Sequence, residues 1–539
     1  MAFYSTVNGM KTDDAAEWRD LLARLRTKRR KPKPALTNSL FSVVVDGSTS
    51  GADAKALNHT LESLLGQSFH NFETILEEVA AHDMPRLDTL RDRFRKFRGL
   101  FLGHVQRGPK DGSDSAAPAL TPRGDYVLFL ASGHVLEPDC LSALNAKIAQ
   151  QPQMCPLDII SFDHMSGALQ TVAFLPGWDP DFLLDRDYLQ GAAVISSRLL
   201  AAPSVAHGPK SGPEMLAALA ASQTNLATAH IASPLIDLTP VPALPRAETR
   251  TAAAGDGKPA LSIIIPTRNN LAMLQDCLAF LDNDLPFTVE VVLVDNASDP
   301  AQVSDYYTRL QRQFDTRIVP MNHRFNYARM INLGVQASRH PNLLLLNNDV
   351  VIPHPACLTK ALQTIARPEV GIAGSLLVYP DNRVQHGGML LHLTEGEGLP
   401  SAQHLFHFAE AGQDSYLAME TATQNCQAVT GAFQMVRREV FHAVEGYDEV
   451  SLPVEYNDVD FCLKVRELGL RVLKLPLQGV VHHESATRGR QDTAATLQMR
   501  HEAQKVILSR WRKQFAQDPY ENPNVRLGET VAAFLTETV

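Results

Sequence analysis

The sequence predicts an α/β protein of two tandem domains, each built on a mostly parallel sheet with helices on its faces. Three observations predict it. At 539 residues the chain is too long for one ordinary core. Short β-branched runs alternate with helix-like segments, the pattern of a parallel sheet. The two halves also resemble each other: "FSVVVDGS" (Phe41 to Ser48) corresponds to "LSIIIPTR" (Leu261 to Arg268), and "LFLASGHVLEP" (Leu128 to Pro138) to "LLLLNNDVVIP" (Leu343 to Pro353). Both pairs are offset by about 220 residues, far beyond a solenoid period, so a domain has been duplicated.

The organisation follows. Residues 1–35 hold an expected amphipathic helix, Asp14 to Arg30, and a basic stretch, Lys28 to Lys33, read either as a linker or as a contact for anionic headgroups. A first domain spans 36–242 and a linker rich in Ala, Gly, Pro and charge spans 243–260. The second domain covers 261–524, and 525–539 form a tail. In the second domain "LSIIIP" is followed by an amphipathic run through Met273, Cys277 and Phe280, then "VEVVLVDNAS", a helix from about Asn326 to Ser338, and "NLLLLNND".

Composition narrows the function. The chain is 45% apolar and 20% charged, ordinary for a globular protein, and its formal charge of −9 argues against non-specific nucleic-acid binding. Six scattered cysteines, with no C-x-x-C pair, read as reduced thiols. No apolar run approaches the roughly 20 residues needed to cross a bilayer and no signal peptide is legible. The expectation is a cytoplasmic protein, with peripheral contact at a membrane surface as a secondary reading.

Ligands of doubly wound sheets sit at the carboxyl ends of the strands, where Asp295 and Asp349 both lie. Asp295 either accepts hydrogen bonds from a ribose or base edge, or closes an Asx turn. Asn347, Asn348 and Asp349 offer hard oxygen ligands in a turn, suited to Mg²⁺ or Mn²⁺ held by few carboxylates plus substrate phosphates. In "EYNDVDFCLKVRELGLRVLKLP" a helix starts at Asn457 and stops at Gly469. Asp458 and Asp460 fall in its first turn, where the macrodipole keeps carboxylates ionised and so makes weaker bases; capping is the alternative role. In "GVVHHESATRG", His482 and His483 point in opposite directions on an extended chain, so one of them can be a ligand, and Arg488 can neutralise phosphate. No G-x-G-x-x-G follows either strand, which argues against a dinucleotide cofactor; "EGEGLP" lacks both the strand and the third glycine.

The order of "SIIIPTRNN", "VVLVDNAS", "FNYARMIN", "LLLLNNDVVIP", "VQHGG", "AVTGAF", "NDVDFCLKVRELG", "VVHHES" and "DPYENPN" closely resembles the family 2 glycosyltransferases, in the bacterial branch for O-antigen and other surface polysaccharides, rhamnosyltransferases among them. The resemblance implies a GT-A fold, a nucleotide-diphosphate sugar donor, a divalent cation (Mn or Mg), and a glycan or lipid-linked glycan acceptor. It implies inverting, in-line transfer of a hexosyl or rhamnosyl group. Carried over by residue, Asp295 matches the acid on the nucleoside, Asp349 the last position of the D-x-D-type metal motif, and Asp458 the general base. His483, ahead of His482, matches the histidine near metal and diphosphate. Pro266, Thr267, Asn348 and Arg488 join the nucleotide-sugar set; His386, His404, His407 and Glu455 are acceptor-side candidates with structural roles as the alternative. Asn347 and Asn348 replace the first acid of D-x-D, and Asn457 the Glu of E-D.

The first half resembles the same family weakly, through "SLLGQSFHNFE" and "LPGWDPDFLLDRDYLQG". Ala131, Ser132 and Gly133 stand where the metal carboxylate belongs, so a degenerate GT-A-like domain is expected there. Two other readings are a non-catalytic sugar-nucleotide or glycan-binding module and a sugar nucleotidyltransferase; the latter lacks its Gly-rich loop, since "PTRNN" is not one.

Overall fold

A computed structural model describes residues 4–6, 9–11, 23, 38–46, 54–77, 102–105, 122–151, 156–167, 171–202, 211–222, 225–238, 258–412, 416–483, 493–527 and 532–534. Nearly all of the expected N-terminal helix, all of the basic stretch and most of the linker lie outside them. The chain forms two compact units: Met1–Ala247 with Asn522–Arg526 and Phe534–Val539, and Glu248–Glu521 with Leu527–Ala533. The main segment of the second unit ends at Glu521, and a short stretch, Leu527–Ala533, returns to it. Among the described residues no helix is long and apolar enough to cross a membrane.

In the first unit β1 (Phe41–Asp46) lies between β2 (Phe72–Glu77) and β3 (Tyr126–Ala131), parallel to both. β4 (Ile159–Ser166) is joined to this group through the antiparallel strand β5 (Ala193–Ser196), and β6 (Thr228–Asp237) runs parallel to β4. The second unit repeats the plan. β7 (Ala260–Thr267) lies between β8 (Thr288–Asp295) and β10 (Asn342–Leu346), with β9 (Thr316–Pro320) beyond β8, all parallel. The sheet then turns mixed: β12 (Phe433–Arg437) is antiparallel to both β10 and β11 (Val370–Ser375), while β13 (Arg471–Leu475) is parallel to β11. The parallel expectation thus holds for the half of the sheet that carries the first two acids.

β7 shows why these residues make a central strand. Leu261, Ile263 and Ile265 join one buried cluster while Ile264 joins another, the period-two alternation of a strand covered on both faces. Each fully buried Ile or Leu stabilises the fold by about 2 kcal/mol. Helix α1 (Tyr327–Ala337) closes one face, its Gly334 set so near β7 that a Cβ would fall 2.3 Å from Ile264.

The duplication extends to side chains. Ser262 Oγ donates to Glu290, which also takes the backbone N–H and the Nε of Arg339. In the first unit Ser42 Oγ, Arg123 N–H and Arg123 Nε surround Glu73 in the same way. A buried carboxylate at the amino edge of each sheet is thus satisfied by the same three donors, as the cost of burying it demands.

Asp518 gives the second unit a pH dependence. Burial pushes its carboxyl up to about 7, against the N–H groups of Leu391 and Tyr520 that favour the charged form. The folded state holds this proton above the range where an unfolded aspartate releases it. Its stabilising contribution is complete below about pH 4 and lost as pH rises through 7. Between pH 6 and 8 we expect it to cost roughly 1 kcal/mol of unfolding free energy, a slope that Asp518→Asn flattens. Denaturant titrations of both proteins at the two pH values measure the difference.

Candidate functional site

The carboxyl ends of β7, β8 and β10 open into a cavity of about 920 Å³. Pro266, Thr267, Arg268, Asn269 and Asn270 form one wall, and the turn Asn347–Asp349 another. Phe325 comes from just before α1 and Tyr327 and Met330 from its start, Thr430–Ala432 from the loop before β12, Asn457 and Asp458 from the start of helix α2 (Asn457–Glu467), and His482 from the short strand Val481–His482. Of the sequence candidates, Pro266, Thr267, Asn348, Asp349 and Asp458 share this cavity.

Asp349 follows β10 after the two asparagines of the turn. Asn348 Nδ2 donates to Thr267 Oγ1 at 3.3 Å, tying the turn to β7. Val350 pairs with His482 in an antiparallel register that also gives the N–H of His483 to the Asp349 carbonyl. This register corrects the choice of histidine: the ring of His482, not His483, lies beside the carboxylate, with Nε2 3.3 Å from Oδ1. His482 Nδ1 meets Gln385 Oε1 at 3.3 Å. An amide oxygen only accepts, so Nδ1 carries a proton; in the neutral ring Nε2 then turns a lone pair toward Asp349. Asp349 Oδ1 is itself buried with no hydrogen-bond partner among the described residues. Two lone pairs converging from a carboxylate and an imidazole fit a divalent cation, which accepts both ligand types.

The two acids of α2 separate. Asp460 is fully buried and accepts from Trp511 Nε1 at 2.8 Å and Arg510 Nη1 at 3.1 Å, a structural assignment. Asp458 faces the cavity, its Oδ2 accepting the N–H of Gly431 at 2.9 Å and its Oδ1 that of Val459 at 2.9 Å. Burial raises its pKa above the ordinary carboxylate value despite those donors and the nearby His404. The expected weakening by the helix dipole is therefore reversed, and Asp458 is the stronger base for it.

Other candidates fall elsewhere. Asp295 does not line the cavity; its carboxylate accepts from Ser298 N–H at 2.7 Å and Tyr307 Oη at 2.6 Å, the Asx-turn alternative, and Asn296 occupies the wall instead. His386 is fully buried behind Thr430, and His404 Nδ1 lies 3.0 Å from the Gln385 carbonyl oxygen; neither reaches the cavity wall. Glu455 also lies off the wall, 3.9 Å from Arg500 Nε. Arg488 lies outside the described residues. Two residues unremarked in the sequence, Asn269 and Asn270, take consecutive left-handed conformations (φ 51° and 48°). The Asn-Asn pair after a strand was the available signal, since asparagine tolerates that region.

At the corresponding turn of the first unit, Ser132 Oγ donates to the Asp46 carbonyl and the Gly133 N–H to Thr60 Oγ1. These internal ties stand where the second unit has Asn347 and Asn348, and His134 is in register with Asp349.

A further group, Glu290, Asp315 and His340, could hold an ion. It lies at the opposite, amino edge of the sheet, and the Arg339 guanidinium already bridges its two acids.

Residues 262–444 match the family model described as Glycosyl transferase family 2. Over 537 residues the sequence is 27% identical to the uncharacterized protein y4gI of Sinorhizobium fredii, covering 90% of this chain and 58% of that one. It is 26% identical over 523 residues to the O-antigen biosynthesis protein RfbC of Myxococcus xanthus, covering 88% and 39%. The chain thus spans about half the length of these relatives. Similar solved structures include GalNAc-T7 with UDP, GalNAc and Mn²⁺ (14% identity, 51% of this chain and 53% of that, TM-score 0.38). Another is the mannosyltransferase PcManGT of Pyrobaculum calidifontis with GDP-Man and Mn²⁺ (18%, 49% and 68%, 0.35).

Proposed function

We propose that this chain is a family 2 glycosyltransferase that moves a sugar, with inversion, from a nucleotide-diphosphate donor to a glycan or lipid-linked glycan in surface-polysaccharide synthesis. The observation that carries the reading is the convergence of Asp349, His482 and Asp458 on one cavity from a strand end, a short antiparallel strand and a helix start. A hexosyl donor, rhamnosyl included, suits the resemblance, and the cytoplasmic face of the inner membrane is the corresponding place of work.

Asp349 and His482 would hold a divalent cation, Mn or Mg, which when bound supplies positive charge for the diphosphate. The loop Pro266–Asn270 and Asn348 shape the donor wall, and Asp295 fixes the turn carrying Asn296 rather than meeting the nucleoside itself. Arg488 is assigned to the diphosphate side on its sequence position alone. Asp458 takes the proton of the acceptor hydroxyl as that oxygen attacks the anomeric carbon and the nucleoside diphosphate departs. The first domain, without a carboxylate in the equivalent turn, is read as a non-transferring partner in acceptor binding, with His386, His404 and Glu455 of the second domain in supporting rather than contacting roles.

Purified chain with Mn²⁺ and a panel of nucleotide sugars should release nucleoside diphosphate only when acceptor is present. Asp349→Ala should weaken Mn²⁺-dependent binding of a nucleoside diphosphate by at least about tenfold while leaving cation-free binding unchanged. Titration calorimetry with and without Mn²⁺ checks this. Equal binding by both proteins would remove Asp349 from the cation site.

A further inference from the structure

Three consecutive peptides of the loop Val429–Ala432 are held by three different parts of the second unit. The Thr430 N–H meets Nε2 of the buried His386 at 3.3 Å. The Gly431 N–H meets Asp458 Oδ2 at 2.9 Å, and the Gly431 carbonyl accepts from Tyr327 Oη at 2.8 Å. The carbonyl of Ala432 then accepts the N–H of Asn347, at the start of the turn that carries Asp349.

We propose that Tyr327 and His386 are positioning residues for the transfer: they clamp the peptides on either side of the Gly431 N–H, so that this donor fixes Oδ2 of the Asp458 carboxylate and the loop sets its spacing from the Asp349 turn. The assignment rests on Asp458 being the base. Thr430, Gly431 and Ala432 all line the cavity, so the loop is part of the wall on which the reaction runs. The loop packs closely at Gly431, where a Cβ would lie 3.3 Å from the Asp458 Cβ and 3.5 Å from Tyr327 Oη, so a side chain there would press on both.

His386 suits its part chemically. Burial, reinforced by His404, Lys474, His482 and His407, holds its pKa well below the ordinary histidine value, so the ring stays neutral. Its Nε2 accepts from Thr430, which places the proton on Nδ1, an atom buried without a hydrogen-bond partner among the described residues. A buried donor left unsatisfied costs stability, and a local gain elsewhere must offset it. Holding the loop supplies that gain. Besides Tyr327, the titratable groups around Asp458 among the described residues include His404, Tyr447, Tyr456 and Cys462, none of which holds the Gly431 peptide.

The test uses the full chain and three variants: Tyr327→Phe, His386→Leu and His386→Gln, the last keeping an acceptor for the Thr430 N–H. Hydrogen exchange over Thr430–Ala432 should speed up in Tyr327→Phe and His386→Leu, and return toward wild type in His386→Gln. For both disruptive variants kcat should fall roughly tenfold at unchanged donor KM, as expected when a reacting group is misplaced. The acidic limb of the kcat profile should move to higher pH, because Asp458 loses an N–H that favours its charged form. Unchanged exchange in both variants overturns the clamp whatever the activity. Faster exchange with a lower kcat but an unmoved pH limb overturns the link to Asp458. A wild-type chain that transfers no sugar would instead overturn the transferase reading, while the exchange result still decides the clamp.

Discussion

Asp458→Asn should abolish transfer while leaving the fold and donor binding intact. Asparagine is nearly isosteric, and its one oxygen can still accept the Gly431 N–H that now meets Oδ2. What it cannot do is take a proton. General-base contributions are typically a hundredfold or more, so kcat should fall by at least about 10² while the KM for donor moves little. Diphosphate release with acceptor present, alongside donor binding by calorimetry, separates the two effects. In the wild type the acidic limb of the rate profile should report Asp458 above the ordinary aspartate value, because burial raises it. A variant that kept near-normal kcat would remove Asp458 from the chemistry and leave it the helix-capping role.

The second large effect is on stability. Lys474 is fully buried on β13, and its Nζ donates to the carbonyls of Met419, Glu420 and Ala422 at 2.8, 2.9 and 2.7 Å. Those carbonyls belong to a segment in which Leu417 and Ala418 adopt left-handed backbone (φ 54° and 55°), a strained arrangement for residues with a Cβ. One ammonium with three acceptors holds the segment in that shape. Lys474→Met keeps an unbranched side chain one atom shorter and removes all three donors, leaving buried carbonyls unsatisfied. We expect a loss of about 3 kcal/mol in unfolding free energy, read by denaturant titration. A change below about 0.5 kcal/mol would show the segment to be held by its other contacts. Since Lys474 also helps keep His386 neutral, the same variant should ease protonation of that ring.

Much of this was legible in one dimension. Strand and helix periodicity located β7, β8, β10, α1 and α2 within a residue or two, because burial on both faces or on one face leaves its period in the sequence. The repeat between halves was legible for the same reason, and its side-chain counterpart, Ser–Glu–Arg in each unit, follows from two copies solving one burial problem. Chemical type was legible too: acids at strand ends and a helix start mark where charge is placed against the apolar rule.

Which of two neighbouring candidates faces the cavity was not legible. His482 rather than His483 lies beside Asp349 because Val350 pairs with His482 across a long stretch of chain, and a shift of one residue would have exchanged them. Asp458 faces the cavity while Asp460, two positions on, is taken by Arg510 and Trp511 of a distant helix. Asp295 turned inward because Tyr307 reached it, leaving the wall to Asn296. The sequence by itself determined the elements, the duplication and the kinds of residue at the strand ends, since these depend on local periodicity and composition. Only the tertiary structure decided which side chains meet, because strand register and the partners of a buried carboxylate are set by groups remote in the chain.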